Sequence, residues 1–370
     1  MKPYQIFLSL FIFSILPGCF QAVENPKENI PEASCISAKI GINWQALQQL
    51  NCDKLSSYGL LTKSENTLIP INESGISYKL NSALFTDHTR KYRYLFLPKD
   101  TTINYSSNNS FELPTGSVLV KISSMPIDTS QNKENIIEVR LLIKREKNWY
   151  ALPYIWDENS SDGYLDDSGE SKDIALTHNN NGLISHYTIP SPADCLVCHQ
   201  GEDGTTPIGL KSRHLNLNIT YDNQAINQLT HWKNLGILTN LPSSLSSIDT
   251  APNWEDESQP LQNRAKAYLD INCAHCHNDF GSGALSGLRL EYWRKNINYN
   301  HGVCNSSHGW SGGGFDIWPG RGEISSIPIR MRHTGAKDRM PPIGRSLVDE
   351  KAADLISQWI DSLPYEDCAP

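Results

Sequence analysis

The sequence predicts an α+β chain of several domains, with a β-rich sandwich or open barrel first and an all-α domain last. Short strand-like runs recur between about residues 80 and 190, and apolar and charged residues alternate from Ile137 to Ile143. Helical periodicity appears later, at residues 261–269 and 352–363. Strands followed by helices are typical of an α+β protein.

Composition divides the chain into five predicted segments. They are a signal peptide at 1–18, a tether at 19–55, a β-rich domain at 56–238, a linker at 239–257 and a helical domain at 258–366. The tether is at first rich in Asn, Glu and Pro, and the linker is rich in Asn, Pro, Ser and Asp. Such compositions are typical of segments without a packed core.

The N-terminus predicts export. An apolar run from Ile6 to Leu16 follows Lys2 and is too short to span a bilayer, as in a signal peptide. Residues 16–19 (Leu-Pro-Gly-Cys) resemble the lipobox of bacterial lipoproteins, so Cys19 is predicted to carry a lipid on the periplasmic side of a bacterial membrane. The alternative is an ordinary secretory cleavage in which Cys19 is incidental. The formal net charge of −8 argues against a nucleic-acid partner.

Two Cys-x-x-Cys-His motifs stand in the chain: motif one at 195–199 and motif two at 273–277. This pattern attaches c-type haem through two thioethers, and its histidine binds the iron. We therefore predict two covalently bound haem c groups. The predicted haem-binding residues are Cys195, Cys198, His199, Cys273, Cys276 and His277. The alternatives are a zinc site or a redox dithiol, but neither explains a histidine directly after both cysteine pairs.

The second axial ligands are predicted from the remaining Met and His residues. Met340 precedes two prolines that hold the backbone extended, so it is the predicted ligand opposite His277, with Met331 as the runner-up. For haem one, the candidates are His214, Met125 or an open distal face.

The other cysteines predict disulfides. Of nine cysteines, Cys19 and the four motif thiols leave Cys35, Cys52, Cys304 and Cys368. An even remainder in an oxidising compartment indicates two disulfides, with three pairings possible. Proximity favours Cys35–Cys52, which leaves Cys304–Cys368. The alternative is free buried thiols.

Several stretches are also similar to a known family. They are Ser82–Phe85, Lys91–Tyr94, Gly116–Lys121, Arg140–Arg145, Ala151–Tyr154, Pro207–Gly209, Ala267–His277 and Met340–Pro341. On these, residues 50–364 resemble an uncharacterised family of exported di-haem c-type cytochrome lipoproteins, often encoded beside a parallel β-helix protein. Two helices around motif two resemble small class I cytochrome c. Residues 110–199 resemble the β domain of cytochrome P-460, whose haem has an open distal side.

The resulting functional expectation is electron transfer in the cell envelope. Its partners would be redox proteins, the membrane through the N-terminal lipid, and the neighbouring β-helix protein implied by the resemblance. One alternative is a haem enzyme that acts on peroxide or a small nitrogen species at haem one. Another is a binding module whose β domain docks the β-helix protein.

Overall fold

Paired strands dominate the first two thirds of the computed structural model, which describes residues 34–36, 41–71, 75–146, 148–221 and 223–368. The strands are β1 (Leu61–Ser64), β2 (Thr67–Pro70), β3 (Ile76–Ser77), β4 (Arg90–Phe96), β5 (Ile103–Asn104), β6 (Val118–Pro126), β7 (Glu134–Arg145), β8 (Asn148–Asp157), β9 (Asp162–Leu165), β10 (Glu170–His178), β11 (Asn181–Ile189), β12 (Gln200–Gly201), β13 (Gly204–Thr205), β14 (Asn218–Tyr221), β15 (Gln224–Asn227) and β16 (Leu238–Thr239). A six-stranded antiparallel sheet has the order β3-β4-β6-β7-β8-β9.

Helices flank this sheet and follow it in the chain. They are α1 (Trp44–Gln49), α2 (Pro192–His199), α3 (Ser212–Leu215), α4 (Gln228–Asn234), α5 (Leu261–Asn272), α6 (Ser326–Arg332) and α7 (Glu350–Ser362). The periodic stretches at 261–269 and 352–363 correspond to α5 and α7. The helix α7 begins where the Asp349 carboxylate accepts a hydrogen bond from Ala352 N at 3.2 Å. Its buried stripe, which includes Trp359, packs in one apolar cluster with α5.

The two faces of the central sheet differ because side chains alternate along each strand. One face is apolar and packs against α1 and the β1–β2 hairpin through Val118, Val120, Ile122, Val139, Leu141 and Ile143. On the other face, Leu95, Leu119 and Leu142 form one cross-strand row that packs with Trp232 of α4. The next row on this face is charged and consists of Arg93, Lys121 and Arg140.

The predicted fold class is wrong, because the described chain is a strand-rich α/β mixture. A single central sheet with small two-stranded sheets replaces the sandwich or open barrel. The C-terminal part is not all-α either. Strand pairing extends to Thr239, and residues 278–325 form loops, 3-10 turns and two isolated bridges. This stretch lacks a 3.6-residue apolar repeat, and its glycines at 287, 302 and 314 have positive φ values that end regular structure.

Two disulfides confirm the predicted pairing. Cys35 is bonded to Cys52, and Cys304 is bonded to Cys368. The predicted lipid attachment residue, Cys19, lies outside the described residues. The longer bridge ties the loop after motif two to the segment that follows α7.

Replacing both cysteines of a bridge with serine should destabilise the protein according to the length of the closed loop. The bridges span 64 and 17 residues. Loop-closure entropy then predicts a loss of about 4 kcal/mol for the Cys304/Cys368 pair and about 3 kcal/mol for the Cys35/Cys52 pair. Urea unfolding of the two double variants measures this difference. A larger loss for the shorter loop would contradict the entropic account.

Candidate functional site

Motif one forms the C-terminal part of α2, from Cys195 to His199. Ser191 caps the helix, because its hydroxyl accepts from Asp194 N at 3.2 Å while Asp194 accepts in return from Ser191 N. Cys195 is buried and Cys198 is half-buried. His199 Nδ1 lies 2.8 Å from Thr206 O. Because a carbonyl only accepts, Nδ1 carries the hydrogen and Nε2 keeps the lone pair that binds a metal.

Motif two begins where α5 ends. His277 N donates to Cys273 O at 2.9 Å, which closes the motif into a turn. His277 Nδ1 lies 2.9 Å from Ser286 Oγ, whose own hydrogen is donated to Gly283 O at 2.7 Å. Ser286 therefore accepts from Nδ1–H, and Nε2 again keeps its lone pair. Burial lowers the pKa of both His199 and His277 to about 4, so both rings are neutral at pH 7.

The two motifs touch each other. Val197 O, inside motif one, accepts from Cys276 Sγ at 3.4 Å and from Ser282 Oγ at 2.8 Å. The ligand atoms of Cys198, His275 and Cys276 all lie within 4.8 Å of one another. A hydrogen bond between the two thiols raises the pKa of Cys198 and lowers that of Cys276. The chain thus brings together two motifs that are about 80 residues apart in sequence.

A buried ion cluster holds motif two against the strand-rich part. Asp270 of α5 accepts from Arg213 Nε at 2.6 Å and from Arg213 Nη2 at 2.9 Å. His214 Nε2 lies 2.9 Å from the same carboxylate, and Tyr292 N donates to it at 3.2 Å. Although burial acts to raise it, the charges of Arg213 and His214 hold the pKa of Asp270 well below its usual value. We call Arg213, His214 and Asp270 the clamp.

A cavity lies between motif one and the charged face of the central sheet. Its walls include α2, the loop at 207–210, the end of α5, and Pro341, Ile343 and Gly344. The chemically active lining consists of Lys91, Arg93, Lys121, Arg140, Asp194, Cys195, Cys198, His199 and His275. The cavity therefore combines the first cysteine pair, its histidine and a group of cations.

The loop that carries Met340 is fixed to its neighbours. Met340 N donates to Arg330 O at 3.0 Å, and Met340 O accepts from Arg345 Nη2 at 2.8 Å. The Met340 side chain is half-buried. Arg330 is also close enough to His277 for its charge to lower the pKa of that ring. The residues that follow Met340, namely Pro341, Ile343 and Gly344, line the cavity beside motif one.

Asp87 joins the end of this loop to the strand-rich part. Its carboxylate accepts from Ser185 Oγ at 2.5 Å, from Ser346 N at 2.8 Å and from Leu347 N at 2.8 Å. The residue is buried and has a positive φ of 47°, which non-glycine residues rarely adopt. Asp87 thus positions the chain that follows Met340.

The other predicted ligands lie elsewhere. His214 is outside the cavity lining; its Nε2 faces Asp270, and its buried Nδ1 has no hydrogen-bond partner among the described residues. Met331 is buried in the cluster of α5 and α7, and Met125 is buried among apolar side chains of β7, β10 and β11. We do not carry these three residues into the proposal.

Sequence reasoning missed the clamp and the cationic face of the cavity. Asp270 stands inside an apolar helix pattern, and Lys121 stands in the apolar run Ser117–Ile122. The available signal was a charged residue at a position where the pattern predicts burial, because a buried charge requires a partner.

No family model matches the chain, and no curated protein or solved structure matches it. Within the described residues, every helix is too short or too polar to cross a bilayer.

Asp270→Asn should destabilise the protein by about 3–5 kcal/mol, because it leaves the buried Arg213 charge without its partner. Asp249→Asn is the control. Asp249 pairs with Lys295 at the surface, where such a pair contributes about 1 kcal/mol or less. Equal losses in the two variants, measured by urea unfolding, would contradict the assigned role of the clamp.

The clamp also predicts a pH dependence. The lowered pKa of Asp270 means that its contribution is present above the unfolded-state pKa, about 4. That contribution is lost as the pH falls through the lower folded-state pKa, because the carboxylate is then protonated. The stability gap between the wild type and Asp270→Asn should therefore narrow below about pH 4.

Proposed function

We propose that the protein is a di-haem c-type cytochrome that transfers electrons in the cell envelope. The observation that carries this proposal is the pairing of the two motifs: both histidines keep Nε2 free while Nδ1 is hydrogen-bonded. This is the arrangement in which a histidine binds a metal through Nε2 and is oriented through Nδ1. Haem supplies one-electron redox chemistry at its iron.

The residues present fit two haem groups. Cys195 and Cys198 would form the thioethers at motif one, and His199 would bind the iron. Cys273 and Cys276 would form the thioethers at motif two, and His277 would bind the iron. Contact between the motifs through Val197 and Cys276 makes the two attachment points neighbours. Neighbouring redox groups in one chain suit a protein that passes electrons on.

A zinc site is the competing assignment for the same cysteines. Cys198, His275 and Cys276 are close enough to share one ion, and thiolate and imidazole are the ligands that zinc prefers. That assignment uses only three residues. It leaves Cys195, Cys273 and the free Nε2 atoms of His199 and His277 without a role, so haem accounts for more of the site.

Mass spectrometry of the intact protein tests the assignment. We expect two covalently attached haems in the wild type. Ser replacements at both Cys195 and Cys198 should leave one, and the matched double variant at Cys273 and Cys276 should also leave one. In the zinc assignment, no added covalent mass is found, and either double variant abolishes the single metal because Cys198 and Cys276 are both needed.

Met340 is the residue that we propose would bind the iron of the haem at motif two together with His277. Met340→Leu should abolish the sulfur-to-iron charge-transfer band and lower the midpoint potential of one haem only, since a thioether ligand raises the potential. Met331→Leu is the matched control, because it removes a buried thioether with little change in volume. Two unchanged haems in Met340→Leu would overturn the ligand assignment.

A second candidate function is haem-based catalysis at motif one. The cavity beside Cys195, Cys198 and His199 favours it, because a small molecule could reach that side of the site. The same optical spectra separate the two functions. High-spin iron in the wild type, with binding of peroxide or hydroxylamine, supports the enzyme, whereas two low-spin haems that bind neither support electron transfer alone.

We also propose a location for the protein in the cell. The signal peptide and Cys19 would place the protein at the periplasmic face of a bacterial membrane, held by its lipid. A single lipid chain anchors only weakly, so retention would require further acyl chains or a partner. Redox proteins of the envelope, and a β-helix protein encoded nearby, are the proposed partners.

A further inference from the structure

Three cations lie side by side on the cavity face of the central sheet. Arg93 of β4 is the cross-strand partner of Lys121 of β6, and Lys121 is the partner of Arg140 of β7. All three line the cavity beside motif one. Like charges directly opposite each other destabilise a sheet. We call these three residues the cationic row.

One carboxylate neutralises part of the row. Glu138 is fully buried and pairs with Arg140, with Nη2 and Oε1 2.6 Å apart. It also accepts from Tyr187 Oη at 2.6 Å. Among the described residues, the side chains of Arg93 and Lys121 have no hydrogen bond or ion pair. A single carboxylate therefore faces three positive charges.

The other carboxylates near the cavity are already engaged. Asp194 serves the cap of α2 through Ser191. Asp87 accepts hydrogen bonds from Ser185 and from the backbone at 346–347. A fourth cation, Lys91, lies on the same face, and its ammonium donates to Thr89 O at 3.1 Å. Among the described residues, the cavity lining carries four cationic side chains and one carboxylate, Asp194.

The pKa values of two lysines on this face are lowered. Burial, and then the charge of Arg140, lower the pKa of Lys121 to about 7. Burial and the neighbouring cations lower the pKa of Lys91 well below its usual value. An anion in the cavity would offset both effects. Two guanidinium groups flanking an ammonium also match the geometry of a carboxylate or a small oxyanion, which accept several N–H donors at once.

We propose that Arg93, Lys121 and Arg140 bind an anionic oxygen group in the cavity beside motif one. Two sources supply this chemistry. One is the pair of carboxylate side chains on a haem attached at Cys195 and Cys198, and this source rests on the proposed function. The other is a free small oxyanion, which requires no haem.

The test uses the full chain as purified and three variants: Arg93→Gln, Lys121→Gln and Lys133→Gln. Lys133 is exposed in the turn between β6 and β7 and serves as the control. Removing one of several like charges relieves repulsion, so the row variants should fold. Sulfate is titrated by calorimetry at constant ionic strength. The midpoint potentials of both haems are measured in parallel.

Two results support the proposal, and they distinguish a free oxyanion from haem carboxylates as the bound group. If the ligand is a free oxyanion, sulfate binds the wild type and Lys133→Gln, and binds Arg93→Gln and Lys121→Gln about 10-fold more weakly, the loss of one charge-assisted hydrogen bond. If the row holds haem carboxylates, sulfate does not bind the haem-loaded protein. The two row variants then lower the midpoint potential of one haem, because a nearby positive charge is lost, and Lys133→Gln changes neither potential.

One result overturns the proposal: sulfate binding and both potentials are the same in the row variants as in Lys133→Gln. The covalent mass of the purified protein is recorded first. If it shows no haem, the proposed function fails, and the sulfate titration alone still decides whether the row binds an anion.

Discussion

The ion pair between Arg213 and Asp270 is the contact on which the arrangement of the site depends. Both side chains are almost fully buried, and a buried charge that loses its partner costs several kcal/mol. Asp270 lies on α5, three residues before Cys273, and Arg213 lies on α3 in the strand-rich part. The pair therefore joins the last turn of α5, just before motif two, to the strand-rich part.

Asp87 makes a second attachment between the C-terminal part and the strand-rich part. It holds the chain at 346–347, which follows the Met340 loop, against strand β11. Two buried carboxylates, Asp270 and Asp87, thus attach the C-terminal part to the strand-rich part. Each has more than one donor, as a buried carboxylate requires. The relative position of the two motifs therefore depends on contacts between residues that are far apart in the sequence.

Features that depend on local sequence patterns were predictable. The two motifs, the stripes of α5 and α7, and the pairing of Cys304 with Cys368 follow from spacing and composition. The cationic row was not predictable in this way. Alternation indicates that Lys121 shares a face with Leu119, but it does not indicate which strand lies beside β6. Neighbours such as Arg93 and Arg140 are determined by the topology of the sheet.

The same limit explains the wrong fold class. Residues 278–325 have no apolar period, and their structure comes from side-chain contacts with the backbone, such as Asn305 Nδ2 donating to Ser286 O at 3.0 Å. The contact between His214 and Asp270 was not predictable for a related reason: the two residues are 56 positions apart in sequence. Residue type indicates that a histidine can bind a metal, but only the packing shows what it contacts.

The Cys304–Cys368 bridge has a consequence for the integrity of the chain. It closes a covalent ring that contains α6, Met340 and α7. A protease that cuts one peptide bond inside this ring opens the backbone but releases no fragment, because the disulfide still joins the two pieces. Met340 would then remain linked to the segment that carries motif two after such a cut, as long as the compartment stays oxidising.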